Sequence, residues 1–315
     1  MRIAAIVLTS WVAGFGLCAA AAGQAPAAAR AAASAGPQKA VLVTGASSGI
    51  GHAIATRLAA DGWFVYAGVR KDAEIKALSG IPNLQPVKLD VTDAAQISAA
   101  VATIKQEGRG LYGLVNNAGI GSFNSVIAPH KDEFDQIMAV NAVAPYKLTQ
   151  AFGPMILEQK GRVVTIGSIG GVVALAGSSA YSMSKFADEA FTDSLAAELE
   201  PLGADASIVE PGTYKTDINR NAVARGQGSD NIDPALNGDP DQVAKVVEHA
   251  LFDAKPKRRY LTVPNPQQAE WTLRAAMDRL VQLNEGQPYV YDRAQLIRVL
   301  DDALAHKPPP APPGP

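Results

Sequence analysis

The sequence predicts an α/β fold, a doubly wound parallel sheet with extra helices at its C-terminal end. From residue 39 onward, short apolar runs rich in β-branched residues alternate with longer segments of helical pattern. The short runs are continuously apolar, which is typical of parallel strands covered by helices on both faces. Repeated βα units with right-handed crossovers then place residues 39–264 in one domain.

The predicted elements follow in a regular order. The strands are short and apolar: Ala40–Thr44, Trp63–Val69, Val87–Leu89, Leu111–Val115, Arg162–Ile166, Ala206–Val209 and Arg259–Val263. The helices between them are Ile50–Ala60, which opens just after glycines, Ala94–Glu107, which follows the cap-type residue Thr92, and then Asp132–Gln159, Ser179–Glu200 and Asp241–Leu251. Two further helices, Trp271–Leu283 and Ala294–Leu304, form a C-terminal helical extension over residues 265–305.

The two ends of the chain are expected to lie outside this fold. After Met1-Arg2, an uncharged apolar run to Ala22 has the layout of a secretory signal peptide, and its length also suits a membrane anchor. Residues 23–38 form an Ala/Pro-rich linker, and residues 306–315 form a proline-rich disordered tail. We expect export or inner-membrane association. The alternative is that the start codon is misassigned, the real protein begins near Pro37, and the protein is cytoplasmic.

Composition excludes several classes of function. The formal net charge is -2 and no basic cluster is large enough to indicate a nucleic-acid partner. Cys18 is the only cysteine in the sequence, so a disulfide within the chain and a cysteine zinc site are excluded. The four histidines are scattered, with no pair at helical spacing, and we expect no metal site.

A glycine-rich turn follows the first predicted strand. The chain reads Thr44-Gly45-Ala46-Ser47-Ser48-Gly49-Ile50-Gly51 and then enters a helix. Glycine allows close approach of the backbone to a ligand, and a helix start presents free N–H groups and a positive dipole end. Strand, glycine turn and helix at the start of such a sheet are typical of the Rossmann site for a dinucleotide pyrophosphate. The alternative is a tight turn without a ligand.

The end of the second strand indicates which dinucleotide binds. A carboxylate there would accept a hydrogen bond from the adenosine 2′-hydroxyl, whereas an arginine accommodates a 2′-phosphate. This strand runs into Arg70-Lys71. We therefore expect NADP(H) to be preferred over NAD(H), the alternative being that both cations are ordinary surface residues.

A phenol and an ammonium lie four residues apart in Tyr181-Ser182-Met183-Ser184-Lys185, a spacing that brings them onto one helical face. A free tyrosine is a poor base at neutral pH, but a nearby cation favours its phenolate form and makes proton transfer feasible. Ser168 stands thirteen residues before Tyr181, at the carboxyl end of a predicted strand, where ligands bind in such sheets.

These motifs together resemble the short-chain dehydrogenase/reductase family, in the branch with the compact core. The matching features, in the expected order, are TGASSGIG (44–51), the Asp90-Val91-Thr92-Asp93 turn, NNAG (116–119), Asn141, Ser168, the Tyr181/Lys185 pair, and Pro211-Gly212-Thr213 with Thr216. The resemblance covers residues 41 to about 216, and we expect it to extend to about 264.

The resemblance implies a catalytic set of Asn141, Ser168, Tyr181 and Lys185. Tyr181 would protonate a carbonyl oxygen or deprotonate an alcohol, and Lys185 would support Tyr181 and hold the nicotinamide ribose. Ser168 would polarise the substrate oxygen, and Asn141 would anchor a water that relays protons. The implied cofactor-binding residues are Thr44, Gly45, Ser47, Ser48, Gly49, Ile50, Gly51, Arg70, Asp90, Val91, Asn117, Ala118, Gly119, Tyr181, Lys185, Pro211, Gly212 and Thr213.

The implied activity is hydride transfer between the nicotinamide and an alcohol or a ketone/aldehyde, with a hydrophobic, steroid- or retinoid-like or other small carbonyl substrate. A rival within enzymology is a 3-oxoacyl thioester reductase, and a rival of another class is a non-catalytic NADP(H)-binding sensor or scaffold. The segment Asn219–Asp239 lies where the family has its substrate lid. The family also commonly forms homodimers and homotetramers through two long helices, here Asp132–Gln159 and Ser179–Glu200.

Overall fold

The computed structural model describes residues 38–127, 133–226 and 237–306. The predicted signal or anchor segment, the linker up to residue 37, the tail from residue 307 and the middle of the predicted lid lie outside these residues.

Seven parallel strands form one sheet in the described part of the chain. In chain order they are β1 (Ala40–Thr44), β2 (Phe64–Val69), β3 (Leu84–Lys88), β4 (Gly113–Asn116), β5 (Arg162–Ile166), β6 (Asp205–Pro211) and β7 (Arg259–Thr262). The spatial order is β3-β2-β1-β4-β5-β6-β7, so the direction of winding reverses between β1 and β4. The predicted doubly wound parallel sheet is confirmed.

Helices connect the strands and continue past the sheet. They are α1 (Gly49–Ala60), α2 (Asp72–Leu78), α3 (Ala94–Glu107), α4 (Phe134–Met138), α5 (Ala144–Glu158), α6 (Ser179–Leu199), α7 (Ile218–Ala224), α8 (Pro240–Phe252), α9 (Pro266–Asn284) and α10 (Arg293–Leu304). Single 3-10 turns lie at Ile169–Gly171 and Glu200–Leu202.

Three helical features differ from the sequence prediction. The helix predicted over Asp132–Gln159 is helical throughout Phe134–Glu158, but it contains a π-helical segment, Ala139–Val143, between α4 and α5. A π segment contains the same residue types as an α-helix, so periodicity does not reveal it; such segments are frequent at functional sites. The short helices α2 and α7 were not predicted, and α7 overlaps the start of the predicted lid.

The core is divided between the two faces of the sheet. Alternate residues of β1 point to opposite sides: Val41 and Val43 pack with α1 and α8, whereas Leu42 packs with α3 and α5. All five residues of β1 are buried. Each fully buried leucine such as Leu42 contributes about 1.5–3 kcal/mol to the free energy of unfolding. Because helices cover both faces of the sheet, the strands are apolar at every position, which explains the continuous apolar runs of the sequence.

The C-terminal extension packs more loosely than the sheet domain. Helix α9 buries only Thr272, and α10 buries none of its residues. Two polar side chains attach α9: Gln268 accepts a hydrogen bond from the Thr213 N–H at 3.0 Å, and Arg279 donates to the Val172 carbonyl at 3.0 Å. None of the described helices combines the length and apolar character needed to cross a membrane.

Candidate active site

The predicted site residues meet at the carboxyl edge of the sheet. The glycine turn follows β1, the NNAG segment ends β4, Ser168 follows β5 and the Pro-Gly-Thr segment ends β6. In open α/β sheets ligands bind in this crevice, at the point where the strand order reverses. The fold therefore brings together, between β1 and β4, motifs that lie far apart in the chain.

The glycine turn forms a tight bend into the start of α1. Gly45 has a φ of 65°, a left-handed conformation that an L side chain rarely adopts. At Gly51 a Cβ would lie 2.3 Å from the Gly45 carbonyl oxygen and 2.3 Å from Asn117 Nδ2, so only glycine fits. The turn and the NNAG segment are thus packed directly against each other.

The start of α1 is open to an anion. Ser47 and Ser48 are exposed, and the Ser48 hydroxyl makes no capping hydrogen bond although Ser48 occupies the N-cap position. The first turn of α1 contains no acidic residue. The positive end of the helix dipole is therefore not compensated, and free hydroxyl and N–H donors surround it, which fits a pyrophosphate.

A buried threonine joins the glycine turn to β4. The Thr44 hydroxyl accepts hydrogen bonds from the Asn117 and Ala118 N–H groups, both at 3.0 Å, and donates to the Val115 carbonyl at 3.2 Å. Asn117 returns the contact, because its side-chain amide donates to the Thr44 carbonyl at 2.8 Å. Thr44 and Asn117 are predicted to bind the cofactor, and these contacts show that they also hold the walls of the cleft together.

Arg70 lies beside the glycine turn. The Ala46 N–H donates to the Gly68 carbonyl at 3.1 Å, which ties the turn to the end of β2, and Arg70 follows two residues later with its side chain exposed. Within the described residues the Arg70 guanidinium has no ion-pair partner. The nearby Glu74 carboxylate accepts from the Arg70 and Lys71 backbone N–H groups instead.

The Asp90 turn lies after β3 and leads into α3. Asp90 Oδ1 accepts from the Thr92 N–H at 2.9 Å and the Thr92 hydroxyl at 2.7 Å, and Val91 is buried. The Asp93 side chain caps α3, accepting from Ala95 N at 2.9 Å. These contacts explain the shape of the turn, whereas contact with an adenine ring stays a prediction.

Ser168 and Tyr181 approach each other across Gly170. A Cβ at Gly170 would lie 3.1 Å from Tyr181 Cε1 and 3.3 Å from Ser168 Oγ, so both predicted catalytic side chains border the same small space. Ser168 caps the turn Ile169–Gly171, its hydroxyl accepting from the Gly170 N–H at 3.0 Å. The Phe123 ring lies 6.0 Å from the Tyr181 ring and adds an apolar wall.

Lys185 lies one turn after Tyr181 on α6, with its ammonium buried. Its Nζ donates to the Ile166 carbonyl at 2.9 Å and to Asp188 Oδ2 at 3.0 Å. Burial works to lower the pKa of Lys185, but the charges of Asp188 and then Tyr181 outweigh it, so the pKa is raised. The lysine is therefore held protonated beside Tyr181.

Asn141 occupies the centre of the π-helical segment and is buried. Its Oδ1 accepts from the Ile120 N–H and its Nδ2 donates to the Ile120 carbonyl, both at 2.9 Å. Nδ2 also donates to the Ser184 hydroxyl at 3.0 Å. The side chain thus fastens the strand β4 exit to α6, and the water-anchoring role stays a prediction.

The Pro-Gly-Thr segment folds back toward the glycine turn. A Cβ at Gly49 would lie 3.2 Å from the Thr216 side chain. The Thr213 N–H is held by Gln268 of α9, and the Thr213 carbonyl accepts from the Gly238 N–H at 3.0 Å. Gln268 was not predicted as part of the site, because only tertiary packing brings the C-terminal extension to this segment.

Buried carboxylates behind the site were also missed by the sequence analysis. Glu210 of β6 is only 2% exposed, and its pKa is raised to about 8, first by burial and then by Glu189. Arg259 of β7 joins the group, with hydrogen bonds to Glu189 Oε2 at 2.8 Å and Glu210 Oε1 at 3.2 Å. A carboxylate within an otherwise apolar strand, as in Ile208-Val209-Glu210, was the available signal.

A second cleft in the described structure does not contain the predicted catalytic residues. A cleft of about 570 Å³ lies between α1 and the start of α8, but none of the four predicted catalytic residues lines it. In the part of the chain that the structure describes, no group of His, Cys, Asp and Glu side chains could hold a metal ion.

Known proteins share this architecture. A sequence model of the short chain dehydrogenase family matches residues 39–226. The mitochondrial D-beta-hydroxybutyrate dehydrogenase of Mus musculus is 32% identical over 274 residues, 75% of this chain and 79% of the relative. The 3-oxoacyl-acyl-carrier-protein reductase FabG of Vibrio harveyi is 33% identical over 229 residues, 71% of this chain and 93% of the relative.

Solved structures agree with the sequence relatives. A short chain dehydrogenase from Burkholderia cenocepacia, in complex with NADP, superposes with a TM-score of 0.66 at 27% identity, covering 78% of this chain and 95% of that one. The parallel sheet, the matched family model and relatives above 30% identity lead to one conclusion. The chain belongs to the short-chain dehydrogenase family of oxidoreductases.

Proposed function

We propose that this oxidoreductase uses NADP(H) to interconvert an alcohol with a ketone or aldehyde, with Tyr181 as the acid/base. The observation that carries the proposal is the placement of Tyr181 beside Ser168, one turn before a buried, protonated Lys185. These groups border the cleft whose other wall is the glycine turn. A nicotinamide bound in that cleft supplies or accepts the hydride.

Side chains of the protein account for the proton transfer and for the polarisation of the substrate oxygen. In reduction, the Tyr181 hydroxyl donates its proton to the substrate oxygen as the carbonyl carbon gains the hydride. The Ser168 hydroxyl donates a hydrogen bond to the same oxygen and stabilises the charge that develops there. The Lys185 ammonium stabilises the tyrosinate that remains, and in oxidation the same groups act in reverse.

The preference for NADP(H) is supported by the surroundings of β2. Arg70 is exposed and its guanidinium pairs with no carboxylate among the described residues, and the Ser48 hydroxyl makes no capping hydrogen bond at the neighbouring helix start. A 2′-phosphate suits both groups, since a guanidinium binds phosphate oxygens through two parallel hydrogen bonds. Glu74, the carboxylate nearest in the chain, is engaged by backbone N–H groups.

An apolar substrate is supported by the side chains beside the catalytic set. The Phe123 ring lies 6.0 Å from Tyr181, and Leu175, in the loop after Ser168, is 52% exposed. Tyr214 is buried in the core and is not part of this apolar surface. A second candidate is a 3-oxoacyl thioester reductase, favoured by the likeness to FabG over 93% of that relative.

Cofactor binding tests the proposal first. NADPH and NADH are titrated into the purified full-length protein and followed by fluorescence, with Arg70→Asp alongside. We expect NADPH to bind at least about tenfold more tightly, and Arg70→Asp to reverse the order, because losing a phosphate contact and gaining a charge repulsion costs more than 1.4 kcal/mol. Equal affinities in the wild type would refute the preference, and binding of neither nucleotide would refute the function.

A panel of substrates then separates the two candidates. Turnover of apolar ketones and aldehydes with NADPH is expected under the first, and turnover of acyl-carrier thioesters with none of simple ketones under the second.

We also propose that residues 1–22 direct export or membrane association, and that the chain forms homodimers or homotetramers. Membrane fractionation with the mass of the mature N-terminus tests the former, and light scattering tests the latter.

A further inference from the structure

A buried carboxylate holds the catalytic lysine. Asp188 lies one turn after Lys185 on α6, and the two side chains are 1% and 7% exposed. Asp188 Oδ2 lies 3.0 Å from Lys185 Nζ, whereas Asp188 Oδ1 is buried without a hydrogen-bond partner in the described structure. The carboxylate is thus committed to the ammonium and to no other group.

Two contacts leave one N–H donor of the Lys185 ammonium available for a ligand. An ammonium has three N–H donors, of which two are engaged by the Ile166 carbonyl and by Asp188. The third remains for the cofactor ribose or the Tyr181 oxygen. Since a long side chain with a free end samples many rotamers, two fixed contacts orient the remaining donor before any ligand binds.

Few charges act on Asp188 besides the lysine. On α6 this charge is Glu189, which in turn faces Glu210 of β6 and Arg259 of β7. The turn Ile169–Gly171 brings Ser168, and the π segment brings the neutral Asn141 through Ser184. On α4, Asp135 is exposed. Among these groups Asp188 makes the largest charge contribution to the raised pKa of Lys185, ahead of Tyr181 and Glu189.

We propose that Asp188 is a positioning residue for Lys185, keeping its ammonium charged and aimed at the cofactor side, and that loss of the Asp188 charge sets the acid limit of the reaction. This inference rests on the proposed function of Lys185. Removing the partner of a buried charge leaves that charge uncompensated, which the protein avoids by releasing the lysine proton.

The raised pKa of Asp188 supports the same view. Burial raises the pKa of Asp188 to about 6, although Lys185 opposes that rise. We therefore expect the carboxylate to be charged and paired with the lysine above about pH 6. Below it the carboxyl becomes neutral, and the ammonium loses its counter-charge while it stays buried.

The test follows Lys185 directly, with ¹⁵N-lysine-labelled full-length protein, and assigns its Nζ resonance through the Lys185→Arg variant. In the wild type we expect the Nζ shift to show a step near pH 6 and no loss of the proton up to pH 10. In Asp188→Asn the step disappears and the lysine loses its proton at least one pH unit earlier. Asp193→Asn is the matched control, because Asp193 lies on α6 and pairs with Arg259, not with Lys185.

Turnover then links the charge to the reaction. The pH profile of kcat for carbonyl reduction by NADPH should lose its acid limb in Asp188→Asn, with kcat about tenfold lower near pH 8 and the KM for the carbonyl little changed. Asp193→Asn should behave as wild type. If Asp188→Asn fails to fold, the wild-type step near pH 6 still decides.

The outcomes separate the two proposals. Absence of the wild-type step, or an unchanged pH profile in Asp188→Asn, overturns the role of Asp188. If the lysine titrates as expected but the wild type reduces no carbonyl, the proposed function of the site fails and the role in catalysis falls with it, while the Asp188–Lys185 charge pair stands.

Discussion

The Thr44 hydroxyl offers the sharpest structural prediction. Thr44→Val keeps the shape of the side chain and removes one buried hydroxyl that serves two N–H donors and one carbonyl acceptor. Each N–H left without a partner costs about 1–3 kcal/mol. Because Asn117 and Ala118 are only half-buried and water reaches them in part, the lower half of the summed range applies, about 2–4 kcal/mol of unfolding free energy.

Chemical denaturation measures this loss, with Thr44→Ser as the control because serine keeps the hydroxyl and loses only a methyl group. We expect Thr44→Ser to cost roughly 1 kcal/mol, in the range of a single buried methyl group, and Thr44→Val to cost clearly more. NADPH affinity should fall with Thr44→Val, since the same hydroxyl aligns the glycine turn with NNAG. Equal stabilities of the two variants would refute the reasoning that this hydrogen-bond set joins the walls of the cleft.

Two further predictions concern residues behind the site. The pKa of Glu210 is raised to about 8, so its protonated form stabilises the fold below the unfolded pKa near 4.5, and that stability is lost as the pH rises through 8. Because Glu210→Gln cannot ionise, its Tm at pH 9 should be higher than that of wild type, by about 2–4 °C per kcal/mol. Parallel Tm-against-pH curves of the two proteins would contradict this. Gln268→Ala removes the hydrogen-bond partner of the Thr213 N–H and should raise the NADPH dissociation constant several-fold with little loss of Tm. Gln267→Ala, at the exposed neighbouring position, serves as the control. An unchanged dissociation constant in Gln268→Ala would exclude Gln268 from the site.

The fold class was predictable because its signal is local and repeated. Strands such as Ala40–Thr44 and Arg162–Ile166 are buried on both faces, so their composition alone distinguishes them from the helices. The π segment around Asn141 was not predictable in this way. A helix that adds one residue to a turn keeps its composition, and only the paired contacts of Asn141 with Ile120 explain where the addition falls.

Within the site, the motif residues were predictable and the residues that hold them were not. Tyr181 and Lys185 share a face of α6 because of their spacing, and that follows from helix geometry. Asp188 is a charged residue in a helix, and its type alone predicts a solvated position. Its burial depends on β6 and the turn Ile169–Gly171 packing against α6. Gln268 reaches Thr213 across 55 residues, a contact for which the sequence carries no local signal.

The account depends most on Tyr181 as the acid/base. The direct measurement is the NADPH-dependent reduction of a carbonyl found in the substrate panel by wild type and Tyr181→Phe, with NADPH affinity measured on both. Loss of one phenolic oxygen should lower kcat by at least about 10²-fold, the lower end for general acid catalysis, and leave NADPH affinity within a few-fold. Retained turnover in Tyr181→Phe, with the cofactor still bound, would contradict the mechanism.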